Sequence, residues 1–185
     1  MTLQYRKLTP QDANRLSDID RSELIERMYA ATDGALSSTS VRIESPAWDE
    51  RTTREMIERF AGELLAGGTA FGCFDGERLV GFGVLSGAFR GEARERLAVD
   101  LMYVSRSHRR RGIGTRILRE LAAVAADRGA KELYISSTET ESAVNFYRNN
   151  GGEVTRNVDP ELFEKEPNDI HMVMKLGGRA GICKR

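Results

Sequence analysis

The stretch VSRSHRRRGIGT, residues 104–115, decides the fold because it joins two elements of different periodicity. Before it, residues 97–104 are apolar and β-prone apart from Asp100, which predicts a strand. After it, apolar residues recur at helical spacing from Ile113 to Ala125, which predicts a helix. The chain therefore runs from a strand, through a turn rich in glycine and arginine, into the N-terminus of a helix.

A turn of this kind suits a phosphate group. The first backbone N–H groups of a helix have no partner inside the helix, and the helix dipole is positive at that end. Gly112 and Gly114 would let the backbone approach an anion closely. Arg109, Arg110 and Arg111 would add charge and fork-shaped donors. We therefore predict an anion-binding turn; the alternative is a basic surface loop.

The spacing Arg109-x-x-Gly112-x-Gly114 resembles the acetyl-CoA pyrophosphate loop of the GNAT N-acetyltransferase superfamily. A second stretch, SAVNFYRNNG at residues 142–151, is similar to the later Ala-x-x-Phe-Tyr-x-x-x-Gly pattern of that superfamily. The resemblance covers roughly residues 69–152, whereas the first 68 residues resemble no family.

The second motif departs from the common pattern at its edges. Thr140 stands where the superfamily often has asparagine, and Gly152 stands where an aromatic residue is usual. No proline follows Ser105. These departures concern contacts near the pantetheine arm rather than the fold.

The resemblance implies an α/β fold in the wide sense of a mixed α+β sheet. Its central sheet is expected to be mostly antiparallel and splayed in the middle, with helices on both faces. The implied activity is direct transfer of an acetyl group from acetyl-CoA, the cosubstrate, to a small-molecule or peptidyl primary amine. The motifs assign cofactor binding to Met102, Tyr103, Val104, Arg109, Arg110, Gly112, Ile113, Gly114, Thr115, Asn145 and Arg148.

Direct transfer sets three chemical tasks. An ammonium group with a pKa of ~10 must lose its proton, the oxyanion that forms needs a donor, and the departing thiolate must be protonated. Tyr147 suits the last task, because a phenol is protonated at neutral pH and the resemblance places it beside the sulfur. Backbone N–H groups of residues 102–104 are expected to serve the second.

The general base is the least determined part of the site. Asp100 is the only carboxylate inside the central strand, and strand alternation places it on one face with Met102 and Val104 unless a bulge intervenes. The residues alone leave open whether Asp100 is the base or an ion-paired aspartate. Three further carboxylates in the N-terminal part are candidates: Asp20, Glu23 and Glu44.

The acceptor site is expected to be built by the N-terminal helices, their loop and the last hairpin. Tyr29, Trp48 and the acidic residues of segment 161–169 are candidates for its lining. His171 follows Asp169 by two positions, so both could face one side, although such an isolated pair is usually structural. Acidic residues near an acceptor would favour a cationic amine.

Composition limits the other classes of function. The 28 basic and 28 acidic side chains balance, which argues against general binding of nucleic acid. Two cysteines and two histidines argue against a disulfide framework and a zinc site. We expect one domain over residues 1–176, a flexible tail over 177–185, a cytoplasmic location without membrane contact and, by analogy, a homodimer.

The remaining patterns predict the following elements: a strand at 3–8, a helix from Thr9, helices over 16–29, a loop at 34–40, a helix at 50–65, a hairpin of 69–74 and 79–86, a strand at 133–136, a helix ending at 149–151, an acidic loop at 159–169 and a strand at 170–176. Two other functions remain open. A non-catalytic acyl-CoA sensor would keep the cofactor turn, and a nucleic-acid-binding module would use residues 106–111.

Overall fold

The computed structural model describes residues 2–177 of the chain. Its strands and α-helices are β1 (Leu3–Leu8), β2 (Glu23–Thr32), β3 (Ala35–Ser45), α1 (Glu50–Leu65), β4 (Thr69–Asp75), β5 (Arg78–Arg90), β6 (Arg96–Val104), α2 (Ile113–Asp127), β7 (Glu132–Ser137), α3 (Glu141–Asn149), β8 (Glu153–Val154), α4 (Pro160–Lys165) and β9 (Ile170–Lys175). Two 3₁₀ helices lie at Pro10–Asp18 and Arg106–His108. The predicted tail lies outside the described residues from residue 178 onward.

Seven strands form one sheet in the order β1-β4-β5-β6-β7-β9-β8, and β2 and β3 form a separate two-stranded sheet. Within the large sheet only β6 and β7 run parallel. Helix α2 makes the crossover that a parallel pair requires. The predicted mixed, mostly antiparallel sheet is therefore confirmed.

Helices cover both faces of the large sheet. One face carries a core in which Ile117 and Leu121 of α2 and Val144 of α3 are fully buried. The other face carries a second core that holds Leu16 of the first 3₁₀ helix and Phe60 of α1. The two helical layers hold the sheet from both sides, so the strand that carries the glycine–arginine turn is fixed from above and below.

The N-terminal third differs from its prediction. Residues 16–29 were expected to be helical and 34–40 to be a loop, yet β2 and β3 pair along their length from Glu23↔Ser45 to Thr32↔Ala35. The turn between them is Asp33-Gly34, with positive φ angles of 51° and 81°. A two-residue turn of this kind closes a hairpin. Helix formers such as Glu, Met and Ala in β2 are thus overridden by the turn and by cross-strand pairing.

Other expectations are confirmed at the level of whole elements. Helix α1, the β4–β5 hairpin, the 133–136 strand and helix α3 occur where the patterns place them, although the side chain of Thr140, the N-cap of α3, makes no capping hydrogen bond. The helix after Thr9 is 3₁₀ rather than α, and the acidic segment contains α4, whose first turn is capped by Asp159. In the range 2–177, the structure has no helix with the length and apolarity of a membrane span.

Candidate active site

Strands β6 and β7 separate halfway along the sheet. Their parallel pairing runs from Arg96↔Glu132 to Val99↔Ile135 and then stops, although β6 continues to Val104 and β7 to Ser137. The expected splay is therefore present. It leaves a V-shaped opening in the middle of the sheet, bounded by the second half of β6.

The hydrogen-bond pattern of β6 shows which backbone groups face this opening. The N–H of Ser105 donates to the carbonyl of Val80 on β5 at 2.9 Å. In an antiparallel pair every second residue bonds to the same neighbour, so Tyr103 also directs its N–H toward β5. The N–H groups of Met102 and Val104 consequently face the splay, and of the three predicted residues these two present donors there.

A β-bulge changes the alternation of β6 in front of the splay. Leu101 pairs with Val84 and Val99 with Leu85, so Asp100 is the extra residue. Val99 packs into the α2-side core, whereas Leu101 packs into the α1-side core. The prediction that Asp100 shares a face with Met102 and Val104 is therefore wrong, because the alternation reverses at the bulge.

On the α1 side, Asp100 forms a bidentate ion pair with Arg59. The two carboxylate oxygens accept from the guanidinium at 2.9 Å and 2.7 Å. The carboxylate is 12% exposed. Any work as a base would require this pair to open, and the role of Asp100 stays a prediction.

The N-terminus of α2 lies directly beyond β6 and is open. Gly112 occupies the N-cap with φ +76°, and no side chain caps the first turn. The neighbouring Arg110 also has a positive φ, at 61°. Arg110 and Arg111 are exposed beside the turn. The first-turn N–H donors, the helix dipole and two arginines together form the arrangement that a pyrophosphate needs.

Arg109 has a different position from the one expected. Its guanidinium donates to the carbonyls of Val104 and Arg21 at 3.1 Å and 3.0 Å, and lies 3.5 Å from the carboxylate of Glu23. This side chain ties the turn to the start of β2. In this structure these contacts fix the shape of the turn, and the assignment of Arg109 to cofactor binding stays a prediction.

Gly114 and Phe146 bring the two sequence motifs together. A Cβ on Gly114 would lie 3.0 Å from Cε2 of the Phe146 ring. Gly114 is therefore required by close packing of α2 against α3, and Gly112 by its backbone angle. Ile113 is buried in the core between them, while Thr115 is partly buried.

Asn145 and Arg148 lie on a different face of α3. Both line a shallow depression with Tyr29 and Leu36 of the β2–β3 hairpin. At 100° per residue, this face is turned away from Phe146 and hence from the α2 N-terminus. Their assignment to cofactor binding stays a prediction.

Tyr147 is buried between α3 and the sheet, with 7% of its surface exposed. Burial raises its pKa above the ordinary value, and the charges of Tyr103 and Asp169 raise it further. The phenol is therefore protonated at neutral pH. It can donate a proton but cannot act as a base before it has done so.

A cavity of about 580 Å³ lies between the β2–β3 hairpin and the segment from β8 to β9. Three carboxylates line it, Asp33, Glu139 and Asp169, together with Tyr29 and His171. Of the residues expected to line the acceptor site, Tyr29 and Asp169 line this cavity, whereas Glu161, Glu164 and Glu166 do not. The assignment of the acceptor site stays a prediction. Trp48 does not line the cavity: the indole packs edge-on against Tyr103, 4.8 Å between ring centroids, on the α1 side.

The three N-terminal carboxylates do not line this cavity. Asp20 accepts from the backbone N–H of Ser22, Glu23 lies beside Arg109, and Glu44 is exposed. Asp169 was expected only as part of the acidic lining of segment 161–169 and as a neighbour of His171, not as a proton acceptor. Its signal was its position directly before β9, and what singles it out is burial, which raises its pKa above the ordinary value. His171 bonds to Tyr134 at 2.8 Å.

Solved structures of acetyltransferases share this fold. Nourseothricin acetyltransferase superposes with a TM-score of 0.71 at 21% identity, covering 96% of this chain and 100% of that one. The PaiA N-acetyltransferase from Thermoplasma acidophilum, in complex with coenzyme A, gives 0.62 at 18% identity over 95% and 99%. An aminoglycoside 6'-N-acetyltransferase complexed with coenzyme A gives 0.53 at 19% identity over 72% and 84%. No curated protein sequence matches the chain.

The sequence itself matches the model of the acetyltransferase (GNAT) family over residues 35–151. This range includes β6, the N-terminus of α2 and helix α3, which carries Tyr147. The predicted family is therefore confirmed, and the chain belongs to the acetyltransferase (GNAT) family, whose acyltransferases use acetyl-CoA as cosubstrate.

Proposed function

We propose that this protein moves an acetyl group from acetyl-CoA to a primary amine by direct transfer. The observation that carries the proposal is that β6 borders the splay of the sheet and also leads into the open N-terminus of α2. β6 leaves β7 after Val99 and ends at a helix N-terminus without a side-chain cap. The first feature offers backbone donors inside the sheet, and the second offers donors to an anion outside it.

The residues present fit the proposed cosubstrate. The first-turn N–H groups of α2, with Arg110 and Arg111, would hold the pyrophosphate. The N–H groups of Met102 and Val104 would pair with the pantetheine arm and face the carbonyl oxygen on which charge develops. When bound, acetyl-CoA supplies a thioester carbonyl that an uncharged amine can attack.

Tyr147 supplies the proton for the departing thiolate. Because burial raises its pKa, the phenol is protonated at neutral pH and has a proton to give. A thiolate is a weaker base than this phenolate, so the transfer to sulfur goes forward only because the phenolate is reprotonated in the same step. The phenolate that remains is then a base, and it takes a proton from the nitrogen of the new amide. Asp100, if its pair with Arg59 opens, is one candidate for the earlier deprotonation of the ammonium group.

Calorimetric titration with acetyl-CoA tests the first half of the proposal, with ATP as a phosphate control. Selective binding of acetyl-CoA, followed by thiol release with an amine in a panel, would support N-acetyl transfer. Binding without thiol release for any amine would favour the acyl-CoA sensor. No binding by a folded sample would overturn the proposal, and steeply salt-dependent binding of RNA or DNA would point to the arginine turn as a nucleic-acid contact.

Cytoplasmic location, a homodimer and the single-domain boundary at residue 176 stay predictions. The volume of the cavity, about 580 Å³, is compatible with a small-molecule amine or with a lysine side chain of a peptide.

A further inference from the structure

Asp169 lies in the wall of the cavity beside the splay of β6 and β7. Its carboxylate accepts a hydrogen bond of 2.7 Å from Ser136 Oγ. Ser136 follows Ile135, the last residue of β7 that pairs with β6. Asp169 therefore stands where the two strands begin to separate. The charge of Asp169 is also among the causes that raise the pKa of Tyr147, the proposed proton donor.

The surroundings of Asp169 favour proton uptake. Burial is the main cause that raises its pKa, and the charges of Glu166 and Glu139 act in the same direction. The hydrogen bond from Ser136 and the charge of Arg59 act in the opposite direction. Tyr147, on the α3 side, is neutral at this stage. A desolvated carboxylate with acidic neighbours is a better proton acceptor than an exposed or ion-paired one.

His171 adds a hydrogen-bond donor to the same cavity. Its side chain lines the cavity and is 5% exposed, and its Nε2 atom is buried with no hydrogen-bond partner among residues 2–177. An unpaired buried polar atom beside a cavity is satisfied when a ligand supplies the missing partner.

The hydrogen bonds around Tyr134 determine which ring nitrogen of His171 carries the proton. The Tyr134 hydroxyl accepts from the backbone N–H of Asp159 at 2.8 Å and lies 2.8 Å from Nδ1 of His171. Among the hydrogen bonds of residues 2–177, Nδ1 is the one acceptor within reach of the single Tyr134 hydroxyl proton, so we assign that proton to the bond with Nδ1. The proton of the neutral imidazole is therefore on Nε2. Burial lowers the pKa of His171, so the ring is neutral near pH 7.

We propose that this cavity binds the acceptor, that Asp169 holds its ammonium group and takes one proton from it, and that Nε2 of His171 donates to an oxygen of the acceptor. This inference rests on the proposed acetyl transfer. The acceptor it describes is a cationic amine that also carries a hydroxyl or carbonyl oxygen. Asp33 and Glu139, opposed in the lining by Arg156 alone, favour a second positive charge on the acceptor.

The protons balance over one turnover. The ammonium group gives one proton to Asp169, and the free amine forms the C–N bond as the C–S bond breaks. Tyr147 protonates the thiolate, and its phenolate recovers a proton from the amide nitrogen. Asp169 releases its proton to solvent through the cavity. The net products are the acetylated amine, the free thiol and one proton.

Asp169→Asn tests the proton acceptor. With 2-deoxystreptamine as the probe amine, kcat is expected to fall about 100-fold, and the acid limb of the pH–rate profile should disappear. Ser136→Ala should move that limb to higher pH, because Asp169 loses a hydrogen bond that stabilises its charged form. Glu164→Gln, which removes an exposed charge from α4, is the matched control and should change neither quantity.

A pair of probe amines tests His171. 2-Deoxystreptamine and cis-1,3-diaminocyclohexane share a ring and two amines but differ in their hydroxyl groups. The wild-type protein should bind the hydroxylated ring about tenfold more tightly in calorimetry without acetyl-CoA. His171→Phe should abolish this preference, and His171→Gln, which keeps an N–H donor, should retain part of it.

The outcomes separate this inference from the proposed function. If the wild-type protein does not bind acetyl-CoA, both the proposed function and this inference are overturned. Normal acetyl-CoA binding and thiol release, with an unchanged pH profile in Asp169→Asn, would overturn the role of Asp169 alone. Equal affinity of wild-type protein for the two rings would overturn the role of His171. Should Asp169→Asn fold poorly, the shift expected in Ser136→Ala still decides the question.

Discussion

The segment from β4 to α3 and the β2–β3 hairpin differ in how they are stabilised. β4 to α3 supplies most of the buried side chains, among them Leu85, Leu121 and Tyr134. Along β2 and β3 every residue keeps part of its surface exposed. The first region carries the proposed cofactor machinery, and the second walls the proposed acceptor cavity.

The difference shows that two parts of one active site can be stabilised by different kinds of interaction. β4 to α3 is held by apolar burial on both sheet faces. The hairpin is held by its own ladder, by the bridge Met28↔Thr140 and by the hydrogen bond from Tyr29 N–H to the carbonyl of Glu139 at 2.7 Å. Changes in one region should therefore leave the function of the other intact.

The largest effect is expected for Gly112→Asp. A carboxylate at the N-cap of α2 would place a negative charge where the pyrophosphate is proposed to bind and would compete for the same N–H groups. The Kd for acetyl-CoA should rise roughly 100-fold by calorimetry, with amine binding unchanged.

Gly129→Asp is the matched control for this variant. Gly129 ends the same helix with φ +91° and, like Gly112, has no atom within 4 Å of an added Cβ. It introduces the same charge and backbone strain away from the turn, so stability should fall while the Kd is kept. Equal loss of acetyl-CoA affinity in both variants would refute the assignment of the turn.

Tyr147→Phe should lower kcat by roughly 10- to 100-fold with an unchanged Kd for acetyl-CoA, because it removes a proton donor that acts only during transfer. Single-turnover thiol release measures this step directly. Tyr5→Phe, on the far edge strand β1, is the control. A wild-type kcat in Tyr147→Phe would show that Tyr147 contributes to packing and is not the proton donor.

The two bidentate aspartates allow a sharper comparison. Asp100 pairs with Arg59, and Asp12 pairs with Arg6 at 2.7 Å, with similar exposure of the partners. Because Arg59 is about as exposed as Arg6, Asp100→Asn should reduce the free energy of unfolding by about 1 kcal/mol in urea titrations. If Asp169 is the base, its acid limb should persist. If the limb vanishes in Asp100→Asn and survives in Asp169→Asn, the base lies on β6.

Asp12→Asn serves as the control for this pair and has its own pH dependence. The hydrogen bond from Arg6 lowers the pKa of Asp12 to about 2. The stabilisation is thus complete above the unfolded pKa of ~3.9 and is lost as the pH falls toward the folded value. Because the guanidinium of Arg6 is half exposed, we expect about 1 kcal/mol. Kinetics at neutral pH should not change.

The smallest effect is expected at the hairpin turn. Gly34→Ala places a Cβ in the left-handed region, 3.0 Å from Nε of Arg156 in the cavity wall. A strain of about 1 kcal/mol should raise the KM for the amine roughly fivefold without changing the Kd for acetyl-CoA. Gly76→Ala carries similar strain in the β4–β5 turn, where nothing lies near the added Cβ. A raised KM in both variants would show that the two regions are coupled.

The sequence predicts the region with strong apolar periodicity and fails where burial is weak. β5, β6 and α2 bury one or both faces, so their residues repeat with the period of the element. β2 has no such repeat because its faces are half exposed. The Asp33-Gly34 pair could have predicted the β2–β3 hairpin, just as the Asp75-Gly76 pair predicted the β4–β5 hairpin.

The site shows a similar limit. The glycine turn and Tyr147 follow from spacing along one segment. The direction of Asp100 depends on a bulge, and the environment of Asp169 depends on Ser136, Glu139 and Glu166 meeting in space. Neither the direction of Asp100 nor the environment of Asp169 can be predicted from the residues next to it in the sequence. Arg109 likewise fits the motif, although its donors are used by backbone carbonyls.

The separation of β2–β3 from the seven-stranded sheet has a consequence for how the sequence can evolve. A segment that shares no strand ladder with the large sheet can be lengthened, shortened or exchanged between lineages without disturbing the register of β4 to β9. Selection for a new acceptor would then act on the hairpin and its Asp33-Gly34 turn, while the central strand and its helix drift slowly. Descendants of this chain should diverge first in residues 23–45 and last in residues 97–118.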